Sequence, residues 1–414
     1  MTVTTAVLAG RLVDVVAGEV LTDRAVLLDG DRVVDVVPLD ARPHDVAVID
    51  LLDRWVVPGL IDCHAHLVGD LDEGHGYAGL VDVREARETL AGVRNARDTV
   101  LAGFTTVRDV GTFRAFTDVA LRDAIDAGWV PGPRMMCAGA YVTTPGGGGD
   151  ITGLPPELDA RVPADMRRGV VRGPDEVRAA VRRILDGGAD LIKVIATGAV
   201  LTEGTLPGEV ELTEDEIRAA VEEAAARGVH VAAHAHGAEG IKVAVRAGVR
   251  SIEHGSLMDD EAIAMMAEHG TWLVADIYNG DYIQETGERD GWSAETMRKN
   301  AETTQTQRDG FRKAVAAGVR IAYGTDSGVY PWPDAARQLP YMVRHGMTPM
   351  QSLQAATVRA AECLGWEDRV GSLRPGRCAD LIALDANPLT DAMDAYAAVP
   401  FVLKGGDIVK DDPA

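Results

Sequence analysis

Trp55-Val-Val-Pro-Gly-Leu-Ile-Asp-Cys-His-Ala-His-Leu67 decides how the chain is read. It is an apolar run that starts after a Pro-Gly break and ends in two histidines. Successive side chains of a strand point to opposite faces, so residues two apart share a face. His64 and His66 therefore converge on one side, and Cys63 and Ala65 are expected on the other. Two imidazoles on one face at a strand end offer a transition metal its first two ligands. The plain alternative is a pair of structural histidines, and the rest of the chain has to decide between them.

A length of 414 residues with 46% hydrophobic content suits a large barrel plus a smaller unit. The net charge of −23 argues against nucleic acid and anionic membrane surfaces as partners. It is weak support for a metal or a basic substrate, since an acidic solvated surface explains it better. The four cysteines, 63, 137, 363 and 378, show no Cys-x-x-Cys spacing, which fits a reducing compartment. No signal-peptide pattern and no apolar run of spanning length is found, so the cytoplasm is the expectation.

Outward from the opening stretch, residues 1 to about 57 are short β-rich runs with a hairpin-type turn at Asp29-Gly30-Asp31-Arg32. Asp380-Leu-Ile-Ala-Leu384 and Phe401-Val-Leu-Lys404 read the same way. Neither end can build a core alone, so segments 1–57 and 370–414 are expected to form one small β-sandwich. Between them, strand-like runs at 57–64, 104–109, 134–140, 190–196, 229–234, 250–254, 271–276 and 320–325 alternate with helical patterns. Thr213-Glu-Asp-Glu216 is a capping box for a helix closed by Gly228, and Thr348-Pro-Met-Gln351 opens another that ends near Gly365. Eight β/α units over 58–369 predict an α/β fold of the (β/α)8 TIM-barrel type, with its chemistry at the C-terminal strand ends.

Those ends carry a constellation. Lys193 lies inside Asp190-Leu-Ile-Lys-Val-Ile-Ala196. A lysine in an apolar strand either pairs with a carboxylate or becomes a desolvated amine able to react with CO2. The fifth strand ends in His234-Ala-His236, the sixth in Glu253-His254-Gly255, and Asp326 follows the eighth. His230 comes early in its strand and reads as structural, as do His75, His269 and His345.

His-x-His, Lys, His, His and Asp in this strand order resemble the binuclear-metal branch of the amidohydrolase superfamily, over nearly the whole chain. Ile192-Lys-Val-Ile-Ala-Thr-Gly198, Ala233-His-Ala-His-Gly237, Ile252-Glu-His-Gly-Ser256 and Tyr323-Gly-Thr-Asp-Ser-Gly328 look most like zinc-dependent Xaa-Pro and Xaa-Arg/Lys dipeptidases, the carboxypeptidase-like prolidases. The resemblance implies two divalent ions, zinc by preference over Mn or Co. His64, His66 and Asp326 would hold one, His234 and His254 the other, and carbamylated Lys193 and a hydroxide would bridge them. Asp326 would shuttle the proton and His236 would polarise the scissile carbonyl. Asp276-Ile-Tyr-Asn-Gly-Asp-Tyr282 resembles the branch that prefers a basic C-terminal residue, which makes Asp276 and Tyr278 candidate substrate contacts.

One departure stands out. Thr144-Pro-Gly-Gly-Gly-Gly-Asp150 has Gly148 where relatives often carry a histidine near the substrate, so flexibility and backbone donors are expected there instead. The aperiodic stretch 151–172 reads as an active-site lid or loop, with Arg161, Arg167, Arg168 and Arg172 as candidate carboxylate partners or plain surface charges. The expected activity is hydrolysis of a dipeptide or N-acyl amino acid. A lactone, cyclic amide or xenobiotic amide is the alternative substrate, and a catalytically dead binding protein the alternative from another class. Gly237 in place of a glutamate argues against a mononuclear deaminase. The expected partner is a small molecule; a homo-oligomer is left open.

Overall fold

The computed structural model describes residues 2–69, 77–390 and 395–413, so His75 lies outside the described residues. Parallel strands occupy the expected places: Leu60–Ala65, Phe104–Asp109, Arg134–Cys137 continued by Tyr141–Val142, Ile192–Ile195, Val231–Gly237, Ser251–Leu257, Trp272–Ala275 and Ile321–Tyr323. Helices lie between most of them, and the fold is the α/β barrel that the alternation predicts. The third strand is not continuous over 134–140. Its first part pairs with the second strand and its last part with the fourth, and Gly139 turns between them at φ 73°. The first and eighth strands meet through a parallel bridge from Ala65 to Ser327, and the Asp326 N–H donates to the His64 carbonyl at 2.7 Å.

Alternation sorts these strands into two faces. Leu60, Val107, Ile192, Val194, Ala233, Ile252 and Leu273 join the large core packed against the helices. Ile61, Ala232, Trp272, Val274 and Ala322 fill the barrel's interior around the Val358–Leu364 helix. The expectation that Cys63 faces away from the histidines fails, because Cys63 belongs to this interior cluster while Ala65 packs outward. The cause is an extra residue in the first strand: pairing runs Asp62 with Val107, then Ala65 with Asp109, so Cys63 keeps the inward phase of Ile61 and His64 turns inward beside it. Such a bulge breaks the two-residue period and re-aims the side chains beyond it.

Thr213 forms both bonds of its capping box over Glu214–Ala225, and Thr348 does so over Pro349–Ala355. The second helix stops early. Thr357 sits at φ −136°, ψ −99° with its hydroxyl on the Leu353 carbonyl, and a new helix, Val358–Leu364, ends at Gly365.

Both ends of the chain build one seven-stranded mixed sheet, ordered Asp407–Asp411, Phe401–Lys404, Leu381–Leu384, Ala47–Pro58, Thr5–Asp14, Glu19–Asp29, Arg32–Pro38. The expected sandwich is hydrogen-bonded as a single sheet, because Ala47–Pro58 pairs with Thr5–Asp14 on one edge and Leu381–Leu384 on the other. That strand runs through Gly59 straight into the barrel strand bearing His64. A Cβ at Gly59 would lie 2.2 Å from Thr105 Oγ1 and 3.0 Å from its Cβ, a clash that no rotamer of Thr105 fully relieves. Gly59→Ala is expected to cost ~1–3 kcal/mol through overpacking, read as a lower urea midpoint. An unchanged midpoint would show that the junction yields.

Candidate metal centre and active-site cavity

Lys193, Arg108 and Glu253 are charged residues whose strand neighbours pack outward, so all three point into the barrel. The Arg108 guanidinium donates to Glu253 Oε1 at 2.7 Å, and both side chains are fully buried. Glu253 Oε2 lies 2.9 Å from His64 Nδ1. Arg108 and His64 outweigh the cost of burial and hold the Glu253 carboxyl well below its usual range. Burial, acting against the carboxylates of Glu253 and Asp326, brings the Lys193 amine down to about 8.

Above this layer the histidines gather at the C-terminal strand ends. His64 Nε2 and His66 Nε2 lie 3.4 and 3.3 Å from Asp326 Oδ1. The rings of His234, His236 and His254 pack with centroids 4.5–4.7 Å apart, and His254 lies 4.8 Å from His64, joining the two groups. Donor atoms of His64, His66 and Asp326 fall within 4.8 Å of one another, as do those of His234, His236 and His254. His254 and Asp326 hold φ at 68° and 58°, a region that costs a non-glycine residue free energy and is met at functional sites.

Behind four of the five rings stands a partner at Nδ1. His64 has Glu253, His66 has the Gly111 carbonyl at 2.7 Å, His236 has Ser256 Oγ at 2.8 Å, and His254 has Asp276 Oδ2 at 3.0 Å. Such partners fix the tautomer and leave Nε2 to the cavity, the arrangement that metal-ligating histidines show. Burial holds His234 well below its ordinary pKa, and lowers His236 to about 3. Clustered imidazoles beside a carboxylate are a donor set that fits divalent transition metals.

Lys193, the five histidines, Asp276 and Asp326 line one open cavity of about 890 Å³, counted to its mouth. Tyr77, Phe113, Tyr141, Ile195, Ile283 and Val329 give it an apolar side. Segment 151–172 packs behind this wall, with Ile151 and Met166 clustered on Tyr77 and Phe113. Its arginines do not line the cavity: Arg161 pairs with Asp82, Arg167 pairs with Asp150 and Asp159, and Arg168 and Arg172 are exposed.

Three substrate-contact expectations look different in place. Asp276 lies in the cavity, but Oδ2 holds His254 and Oδ1 accepts from Gln307 Nε2 at 2.7 Å, so both its carboxylate oxygens already have partners within the protein. Tyr278 faces a neighbouring crevice with Arg337 and Tyr341, outside the cavity lining. Gly148 does line the cavity, but not as a flexible loop. Its N–H donates to Glu211 Oε2 and its carbonyl accepts from Thr202 Oγ1, each at 2.7 Å. A Cβ on Gly147 or Gly149 would meet neighbours at 2.6–2.7 Å, and one on Gly148 at 3.2 Å. The glycines make a close-packed wall. His230, His269 and His345 are not part of the lining.

Sequence reasoning passed over Arg108, Glu253 and the Asn279–Gln307 pair. Arg108 carries the same signal as Lys193, a charge within an apolar strand. Asn279 and Gln307 sit in polar helical stretches that carry no such signal.

The model of the Amidohydrolase family matches residues 55–410. This chain belongs to the amidohydrolase family. The amidohydrolase is 34% identical to ochratoxinase of Aspergillus niger over 370 residues, which cover 86% of this chain and 75% of that one. Among solved structures, a Xaa-Pro dipeptidase with methionine bound in its active site is 38% identical, with TM-score 0.90 over 98% of this chain and 99% of the other. A prolidase complexed with N-methylphosphonate-L-proline is 30% identical, with TM-score 0.90 over 99% and 100%. The amidohydrolase is an enzyme by family, and its histidine-rich clusters are the candidate seat of the divalent metal centre such enzymes use. Among the described residues, no helix is long and apolar enough to cross a membrane.

Burial raises the Glu211 carboxyl from 4.5 to about 7. Between those values the folded state holds a proton that the unfolded state has lost, so this group's contribution to stability falls as pH rises through that window. Glu211→Gln, which can still accept from Gly148, is expected to flatten the melting temperature between about pH 5 and about pH 7. Parallel melting profiles for variant and wild type would remove Glu211 from the pH dependence.

Proposed function

We propose that this amidohydrolase cleaves the amide bond of a dipeptide or N-acyl amino acid. The observation that carries the reading is the convergence of both ligand groups and Lys193 on one cavity. His64, His66 and Asp326 would hold one divalent cation and His234 and His254 a second, zinc by preference, with Lys193 as its carbamate between them. When bound, the pair supplies Lewis acidity and lowers the pKa of water into the neutral range. The chain's residues do the rest. Asp326 takes the proton as water attacks the carbonyl carbon, then gives it to the departing amine nitrogen as the C–N bond breaks. His236, whose Nδ1 accepts from the Ser256 hydroxyl, keeps its hydrogen on Nε2 and donates it to the oxygen on which charge develops. Residues 58–369 would carry this chemistry on a support made from 1–57 and 370–414, in the cytoplasm.

A second reading has a specific observation behind it. The wall of Tyr77, Phe113 and Tyr141, facing a glycine surface without an imidazole, suits a flat aromatic acyl group. Likeness to ochratoxinase supports a xenobiotic amide on the same grounds.

The test is hydrolysis of a dipeptide library and an N-aroyl amino acid panel by protein of measured metal content. Turnover of dipeptides supports the first reading, and turnover of aroyl amides alone moves the substrate to the second. Lys193→Ala is expected to lose metal and activity together, and full metal occupancy at wild-type rate would end the carbamate assignment. Asp326→Asn should keep the fold and lose ~10²-fold or more in kcat; a rate within about threefold would refute the proton shuttle. Asp276→Asn should weaken metal retention ~10–100-fold, measured by competition with a chelator. A selective loss on basic dipeptides with metal affinity intact would instead return Asp276 to substrate recognition.

A further inference from the structure

The two oxygens of Asp326 have different neighbours. Oδ1 lies 3.4 and 3.3 Å from Nε2 of His64 and His66, among the candidate metal ligands. Oδ2 lies 3.1 Å from Asn279 Nδ2, which leaves it to carry a proton to a departing amine. Two apolar side chains are anchored at this end. Ile283 stands four residues after Asn279 in the helix Asn279–Asp290, on the same face. Val329 comes three residues after Asp326, and its N–H donates to the Asp326 carbonyl at 3.1 Å. Ile283, Val329 and Trp292 form one apolar cluster, with Leu201 and Met297 packed against it. Ile283, Val329 and the half-buried Leu201 line the cavity, whereas Trp292 and Met297 stand behind them.

Leu201 belongs to the loop after the fourth strand, and that loop is stapled. Lys299 Nζ donates to the carbonyls of Ala199 and Thr202 at 3.4 and 2.8 Å and pairs with Glu295 at 2.6 Å. Glu295 in turn accepts from the Gly204 N–H at 3.0 Å. Leu201 is thus presented by a fixed wall. Among the described residues, the charged groups lining the cavity are those of the metal centre: Lys193, Asp276, Asp326 and the histidines. A charge placed between Leu201, Ile283 and Val329 would be desolvated without a partner of its own, which is costly, while an aliphatic chain there leaves water at no such penalty.

We propose that Leu201, Ile283 and Val329 form the pocket for the side chain of the residue released as the amine, which makes the enzyme selective for amides whose leaving amino acid is aliphatic or a thioether over those whose leaving amino acid is charged. The inference rests on the amide-hydrolase reading, in which Asp326 protonates the departing nitrogen. The substituent on that nitrogen then projects from Asp326, where the backbone holds Val329 and the Asn279 helix holds Ile283. The acyl half is left to the aromatic wall, whose Tyr141 ring lies 6.1 Å from that of His66.

The experiment measures kcat/KM of metal-loaded wild type and Leu201→Glu on two series, alanyl dipeptides and N-benzoyl amino acids, each releasing leucine, methionine, lysine or aspartate. A third series, Xaa-Leu, varies the acyl residue. The wild type is expected to prefer leucine and methionine over lysine and aspartate ~10-fold or more. Leu201→Glu is expected to raise lysine relative to leucine by a similar factor and to keep the order of the acyl series. Leu201→Gln, expected to lose the leucine preference, serves if the glutamate variant does not fold. Equal or opposite preference in wild type, a preference that the variant leaves unchanged, or a change in the acyl series instead overturns the inference and leaves amide hydrolysis standing. Cleavage of no member of any series by protein with its metal bound overturns both.

Discussion

The Arg108–Glu253 ion pair is the constraint on which the site depends. Two charges buried at the middle of a barrel are unfavourable alone, and removing one partner of such a pair costs ~3–5 kcal/mol. Here the pair joins the second and sixth strands beneath the histidines, with Ser251 Oγ also donating to Glu253. Its second carboxylate oxygen turns to His64 and fixes that ring. Its charge also balances the Lys193 amine on the fourth strand. Four strands and two candidate ligands thus share one electrostatic anchor, and below it the interior is apolar.

From that anchor the cavity rises in layers. His64, His66 and His254, each backed at Nδ1 by a carboxylate or carbonyl oxygen, spend their donors there and show their lone pairs inward. The left-handed backbone at His254 and Asp326 brings in two side chains that regular strand geometry would send elsewhere. The stability given up in those conformations is spread over the close-packed seam between the first and eighth strands, where Asp62 accepts from the N–H groups of both His64 and Thr325.

Much of this was legible in the residues. Strand and helix alternation gave the barrel, because buried parallel strands must be apolar and their charged exceptions stand out. His64, His66, Lys193, His234, His236, His254 and Asp326 were singled out from their places in or just after strands, and the structure brings all of them to one cavity. What escaped was local geometry with no compositional mark. One extra residue in the first strand turned His64 to the same inward side as Cys63. A glycine run, which suggests looseness, proved to be a wall that close neighbours keep free of side chains. The partners of Asp276, His254 and Gln307, carried no mark in the sequence, because an aspartate after a strand has no label saying which neighbour will claim it. Tyr278, two residues on, is led away by the helix turn that starts there.

The long strand Ala47–Pro58 lies between partners from opposite ends of the chain. During synthesis Thr5–Asp14 precedes it, whereas Leu381–Leu384 follows only after the whole barrel. Until then the edge of the strand that leads to His64 stands open, an unpaired row of backbone donors and acceptors able to recruit another chain. The arrangement makes a segment beyond the barrel the latch of its first ligand strand. Ribosomal stalling or proteolytic loss near residue 380 would therefore leave an almost whole barrel with a sticky seam.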